Sequence, residues 1–136
     1  MTLLIRCEVC GKKADVHHII HKSEGGMDIS FNYLYLCSFH HRGKNGPHRN
    51  KTVDLSYKLG LKNKLFGMLL KDYYTLKDLS DIFNLNEAKV KKIIRKSRLY
   101  KEGYRKEDII YLLLGSKDYN ENMLEEYDDF IRVNII

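Results

Sequence analysis

Residues 31–43 read "FNYLYLCSFHHRG", and this stretch decides the fold. Its first half, residues 31–36, is apolar and rich in aromatics, which predicts a β-strand. Its second half reads as the start of a helix that stops by Gly43. At the junction, Cys37-Ser-Phe-His40 has C-x-x-H spacing, in which both side chains turn toward one point. Half a metal cage needs another half, and Cys7-Glu-Val-Cys10 supplies it upstream. A hairpin folded between the two knuckles would bring them together.

Cys7, Cys10, Cys37 and His40 therefore form a candidate structural zinc site, since zinc takes four thiolate or imidazole ligands in a tetrahedron. The set uses all three cysteines of the chain. An odd cysteine count argues against a disulfide framework and for metal binding in a reducing compartment. The plainer alternative is three reduced thiols in a core.

Outside this cage remain His17, His18, His21, His41 and His48. His17 and His18 lie in "DVHHII", residues 15–20, where residues 16–20 read as another short strand. "EGGMD" follows as a turn, with Gly25 and Gly26 available for positive φ. Adjacent strand residues point in different directions. Adjacent helical residues diverge by about 100°, so His41 faces away from the zinc to which His40 points. A second site built from His17, His18 and His41 is the result. In-line phosphodiester hydrolysis needs a base for water on one side of phosphorus and a divalent cation on the other. One histidine as ligand and its neighbour as base fits that need. The bland alternative makes one of the pair a packed core histidine.

The run C-x-x-C … V-H-H-I-I … G-G … N-Y-L-Y-L-C-x-x-H-H resembles the HNH endonuclease family, whose fold is the ββα-metal motif. The resemblance covers roughly residues 5–50, and its letters fall on His18, Asn32 and His41. It implies that His18 is the general base and that Asn32 braces the loop and orients that base. It implies that His17 and His41 hold the catalytic divalent cation, with His48 as a further candidate ligand. Cys7, Cys10, Cys37 and His40 match the family's structural zinc, although many relatives carry a fourth cysteine where His40 stands. His17 stands where many relatives have Asp. Imidazole suits transition metals better than magnesium, so Mg2+, Mn2+, Ni2+ and Zn2+ all stay open as the catalytic cation. The stretch "HHRGKNGPHRN" resembles phage and mobile-element members of the family, several of which add a C-terminal helix-turn-helix.

The rest of the chain suits that order. Residues 53–71 have apolar side chains at Leu55, Leu59, Phe66 and Leu69, helical spacing for a connecting helix. Thr75 is a candidate N-cap. Leu76, Leu79, Ile82 and Phe83 form the apolar face of one helix, and "EAKVKKIIRKSRL" continues as a second after a tight turn. A third helix is expected near residues 106–114. Two short helices across a turn, the second one basic, form a helix-turn-helix pattern, with Lys89, Lys92, Arg95 and Lys96 as the DNA-binding residues. A three-helix bundle with a solvated basic face is the alternative. Residues 1–115 hold 22 Lys/Arg against 12 Asp/Glu, whereas residues 116–136 hold 2 against 6. A basic body followed by an acidic tail is consistent with a nucleic-acid partner.

The expected architecture is thus α+β: a small zinc-stabilised ββα-metal core at residues 1–52, a connecting helix at 53–72, an all-α helix-turn-helix region at 73–115 and an acidic tail at 116–136. The expected function is a metal-dependent endonuclease on double-stranded DNA, of nicking or homing type. The competing reading is a zinc-stabilised DNA-binding regulator with an inactive nuclease site, and an RNA-cleaving toxin is a smaller third. No apolar run or basic-then-apolar leader is present, so a cytoplasmic protein without membrane association is expected. Target sequence, number of strands cut and oligomeric state stay open.

Overall fold

The computed structural model describes residues 5–127. The last nine residues of the acidic tail lie outside the described residues. The chain is mixed α+β and divides into two compact units, Met1–Leu61 with Tyr119–Ile136, and Lys62–Asp118.

In the first unit, β1 (Asp15–His18) pairs antiparallel with β2 (Tyr33–Leu36), in a register that sets His17 opposite Leu34 and His18 opposite Tyr33. Pleating gives the two histidines opposite faces, and His17 is the buried one. Helix α1 (Ser38–Arg42) follows β2 directly. The strands are shorter than the sequence suggests. Strand β1 ends at His18, although the Ile19 amide still donates to the Asn32 carbonyl at 2.8 Å, and Ser30–Asn32 forms a 3-10 turn instead of extended chain.

Asn32 explains that shortening. It is fully buried, its Oδ1 accepts from the Ile20 amide at 2.8 Å, and its Nδ2 donates to the carbonyls of Ile20 and Met27 at 3.0 and 2.9 Å. One side chain thus satisfies three backbone groups that would otherwise be buried without partners. Of the two glycines in this loop, only Gly25 has positive φ, 87°. Gly26 is needed for space: a Cβ there would lie 1.7 Å from the Ile20 carbonyl oxygen.

Helix α2 (Lys51–Met68) begins earlier than expected because the Asn50 side chain accepts from the Val53 amide. Leu55, Leu59, Leu65 and Leu69 are buried, while Phe66 is only half-buried.

The second unit corrects the expectation of an all-α region. Three short strands, β3 (Tyr73–Tyr74), β4 (Leu99–Tyr100) and β5 (Gly103–Arg105), form an antiparallel sheet in the order β3-β5-β4. Strands of two or three residues are too short to carry a period-two pattern, so they leave no mark in the hydropathy. Gly103, at φ 126°, starts β5 where a Cβ would come within 2.7 Å of the Tyr74 carbonyl oxygen.

Between the strands lie α3 (Leu76–Phe83) and α4 (Glu87–Ile94), and α5 (Lys106–Leu113) follows β5. Thr75 caps α3 in a reciprocal box with Asp78, and Asn84 closes it in the left-handed conformation. These are the signals expected at helix ends. Leu79, Val90, Ile94, Ile109 and Leu113 are buried. The α4 helix stops at Ile94, short of the expected residue 99, because the chain must extend to enter β4. No helix among the described residues is long and apolar enough to cross a membrane.

Candidate metal centres

The first knuckle is a turn closed by the Gly11 amide donating to the Cys7 carbonyl at 2.8 Å, with Gly11 at φ 78°. Glu8 fastens it to β2, its amide donating to the Tyr35 carbonyl and its carboxylate accepting from the Tyr35 amide, both at 2.9 Å. At the end of β2, Cys37 caps α1 by accepting from the His40 amide. Cys7, Cys10, Cys37 and His40 thereby come close enough to bind a metal ion such as zinc.

Their spacings fit a tetrahedron. At metal–sulfur and metal–nitrogen bonds of about 2.3 and 2.0–2.1 Å, its edges are about 3.8 Å between sulfurs and about 3.5 Å between sulfur and nitrogen. Cys10 Sγ to Cys37 Sγ is 3.7 Å, and His40 Nδ1 lies 3.6 Å from Cys7 Sγ and 3.3 Å from Cys37 Sγ. Burial pushes the Cys7 thiol up, but backbone amides at Cys37, Cys10 and Val9 outweigh it and hold the group at about 6. It is thus poised as a thiolate, the form that binds metal.

A second centre lies on the other side of α1. His17, His41 and His48 each have a ring nitrogen within 4.8 Å of those of the other two, close enough to hold a metal ion. Their ring centroids are 4.6–5.0 Å apart, and His41 Nε2 is 2.9 Å from His48 Nε2. The loop after α1 returns His48 to this group, and Gly46 permits it: a Cβ there would lie 2.5 Å from the His41 carbonyl oxygen. The His17 Nε2 atom is buried with no hydrogen-bond partner. Burial, then the neighbouring rings of His41, His48 and His21, lower His17 to about 3. Burial is also the main cause that lowers His41 and His48. Neutral imidazoles crowded together could serve as metal ligands, because only the neutral ring has a lone pair to give.

His18 shares a cleft of about 410 Å³ with this trio, together with the cationic side chains of Lys22 and Arg42. Its Nε2 is 2.9 Å from Asp28 Oδ1, and the Tyr33 hydroxyl donates to the same oxygen at 2.6 Å. Tyr33 first, then His18, hold Asp28 below the usual carboxylate range. Asn32 does not line the cleft. Its side chain instead ties Ile20 to Met27, the residue before Asp28 in the loop.

Searches against protein-family models, curated proteins and solved structures return no match. A functional reading of this chain therefore rests on geometry and chemistry.

Two features escape the sequence. Asp28 lies ten residues beyond His18 in a loop, and only the folded turn brings them together. His21, which the spacing argument leaves without a role, joins the cluster. It stacks on His48 with ring centroids 5.2 Å apart, and its Nε2 is 3.0 Å from Asp54 Oδ1. Asp54 and Lys58 are buried on α2, paired at 2.8 Å, and Lys58 also donates to Glu24 at 2.8 Å. The i,i+4 spacing of Asp54 and Lys58 is the signal the sequence offers for this pair. Lys89, Lys92, Arg95 and Lys96 lie on α4 and just beyond it, and all four are exposed, as expected of an outward basic face.

Proposed function

We propose that the chain is a metal-dependent endonuclease of HNH type acting on double-stranded DNA. One observation carries the reading: His17, His41 and His48 converge as a neutral ligand trio while His18, next along the same strand, opens into the same cleft with a carboxylate behind it. A regulator has no use for that combination.

In this reading, zinc held by Cys7, Cys10, Cys37 and His40 is structural. It fixes the first knuckle to α1 and so fixes where α1 presents His41. His17, His41 and His48 would hold a divalent transition metal, which would supply positive charge to the oxygen that leaves phosphorus. Asp28 keeps a proton on His18 Nε2, leaving Nδ1 with a lone pair. Water attacks phosphorus as Nδ1 takes its proton, and the bond to the leaving oxygen breaks in line. Lys22 and Arg42 draw the backbone phosphates into the cleft. Lys89, Lys92, Arg95 and Lys96 grip further phosphates along the duplex. One such site cuts one strand per encounter.

The test is incubation of the purified chain with supercoiled plasmid across a panel of Mg2+, Mn2+, Co2+, Ni2+ and Zn2+. Conversion to open circle with a transition metal, blocked by chelator, is expected. No cleavage with any cation, by a chain that binds DNA, favours the regulator.

A further inference from the structure

His17 belongs to a second group of donors besides the one it forms with His41 and His48. His21 and Asp54 also place ligand atoms so that these and one of His17 all lie within 4.8 Å of one another. The orphaned His17 Nε2 is buried in this neighbourhood. His21 Nε2 and Asp54 Oδ1 are 3.0 Å apart. That is hydrogen-bond distance, and it is also the separation of two donors meeting one ion at a right angle, about 3 Å for bonds of about 2.1 Å. Asp54 is buried, and its other oxygen is held by Lys58 at 2.8 Å, so the carboxylate is oriented before any ion arrives. Two imidazoles and a carboxylate form a set that suits first-row divalent metals and leaves open positions.

We propose that His17, His21 and Asp54 form a second cation seat, for a divalent transition metal that accepts right-angle ligands, such as Co2+ or Mn2+. A neutral imidazole has one lone pair to give. His17 therefore serves one seat at a time, and the two seats exclude each other. A cation between His21 and Asp54 withdraws His17 from the trio with His41 and His48. Under the function proposed above, this is a parked position that regulates the same site. The seat itself rests only on the donors named here.

The test uses the full chain with its Cys-rich centre loaded with zinc, and Co2+ alone as the probe. The double variant His41→Ala/His48→Ala lacks the first seat. It should still bind about one Co2+ per chain beyond the zinc, read by equilibrium dialysis and visible absorption. Adding His21→Ala should weaken that binding by about tenfold or more, and Asp54→Asn should do the same. Should the double variant fail to fold, His48→Ala replaces it, since His48 is exposed. A folded, zinc-retaining variant that binds no further Co2+ overturns the proposal, as does Co2+ binding indifferent to both His21→Ala and Asp54→Asn. Wild-type plasmid cleavage reports separately on the nuclease reading, so either can fail alone.

Discussion

His40 and His41 are consecutive residues of α1 that serve different centres: His40 Nδ1 lies 3.3 Å from Cys37 Sγ, whereas His41 Nε2 lies 2.9 Å from His48 Nε2. The turn of the helix separates them by about 100°. With only five residues, α1 has little stability of its own. An ion held by the cysteine-rich group would therefore fix where α1 presents His41.

Loss of the structural ion should cost the second centre too. Cys10→Ser removes a ligand from an exposed position. We expect metal content by elemental analysis to fall from about one ion per chain toward zero, and transition-metal-dependent cleavage to fall with it, even with catalytic cation in excess. Well-folded wild-type chain that carries no zinc would contradict the assignment.

Acid should act through His17. Its folded-state value lies near 3 against an ordinary 6.5. The unfolded chain thus accepts a proton that the folded chain refuses. Stability should be unaffected by this group above pH 6.5, fall as the pH drops below it, and level off only near 3. The slope per proton is at most about 1.4 kcal/mol per pH unit. Urea midpoints without added divalent cation should fall less steeply for His17→Gln than for wild type. Acid loss of zinc affects both and cancels. Identical slopes would mean that His17 titrates as it does in an unfolded chain.

Asn32→Ala should destabilise by roughly 2–4 kcal/mol, because it leaves the Ile20 amide and the Ile20 and Met27 carbonyls without their partner. Urea unfolding measures this. A change below about 0.5 kcal/mol would show that the loop does not depend on the asparagine.

The cations of α4 and the segment after it should report on DNA binding. Each phosphate that the protein ceases to neutralise lowers the slope of log affinity against log salt by about 0.9. Replacing Lys89, Lys92, Arg95 and Lys96 together with alanine should reduce it by up to about 3.6. An unchanged slope in fluorescence anisotropy would remove α4 from the interface.

Spacing is what makes part of this molecule legible in its sequence. Two knuckles that use every cysteine need no tertiary knowledge, and the side-by-side histidines of a strand announce two directions. The hidden part depends on chain reversal. Asp28 and Asp54 reach His18 and His21 across turns that no periodicity marks. The β3-β5-β4 sheet is invisible because two-residue strands have no period. Gly26 suggests a positive φ in the sequence, whereas the fold uses its lack of a side chain beneath the Ile20 carbonyl.

The most direct test of the account is His18→Ala. Zinc content, thermal unfolding and DNA affinity should stay near wild type, because His18 belongs to none of the three candidate ligand sets. Strand cleavage with saturating transition metal should fall by about 10²–10⁴-fold, the usual worth of a positioned base. Cleavage by His18→Ala at the wild-type rate would contradict the mechanism and remove His18 from the chemistry.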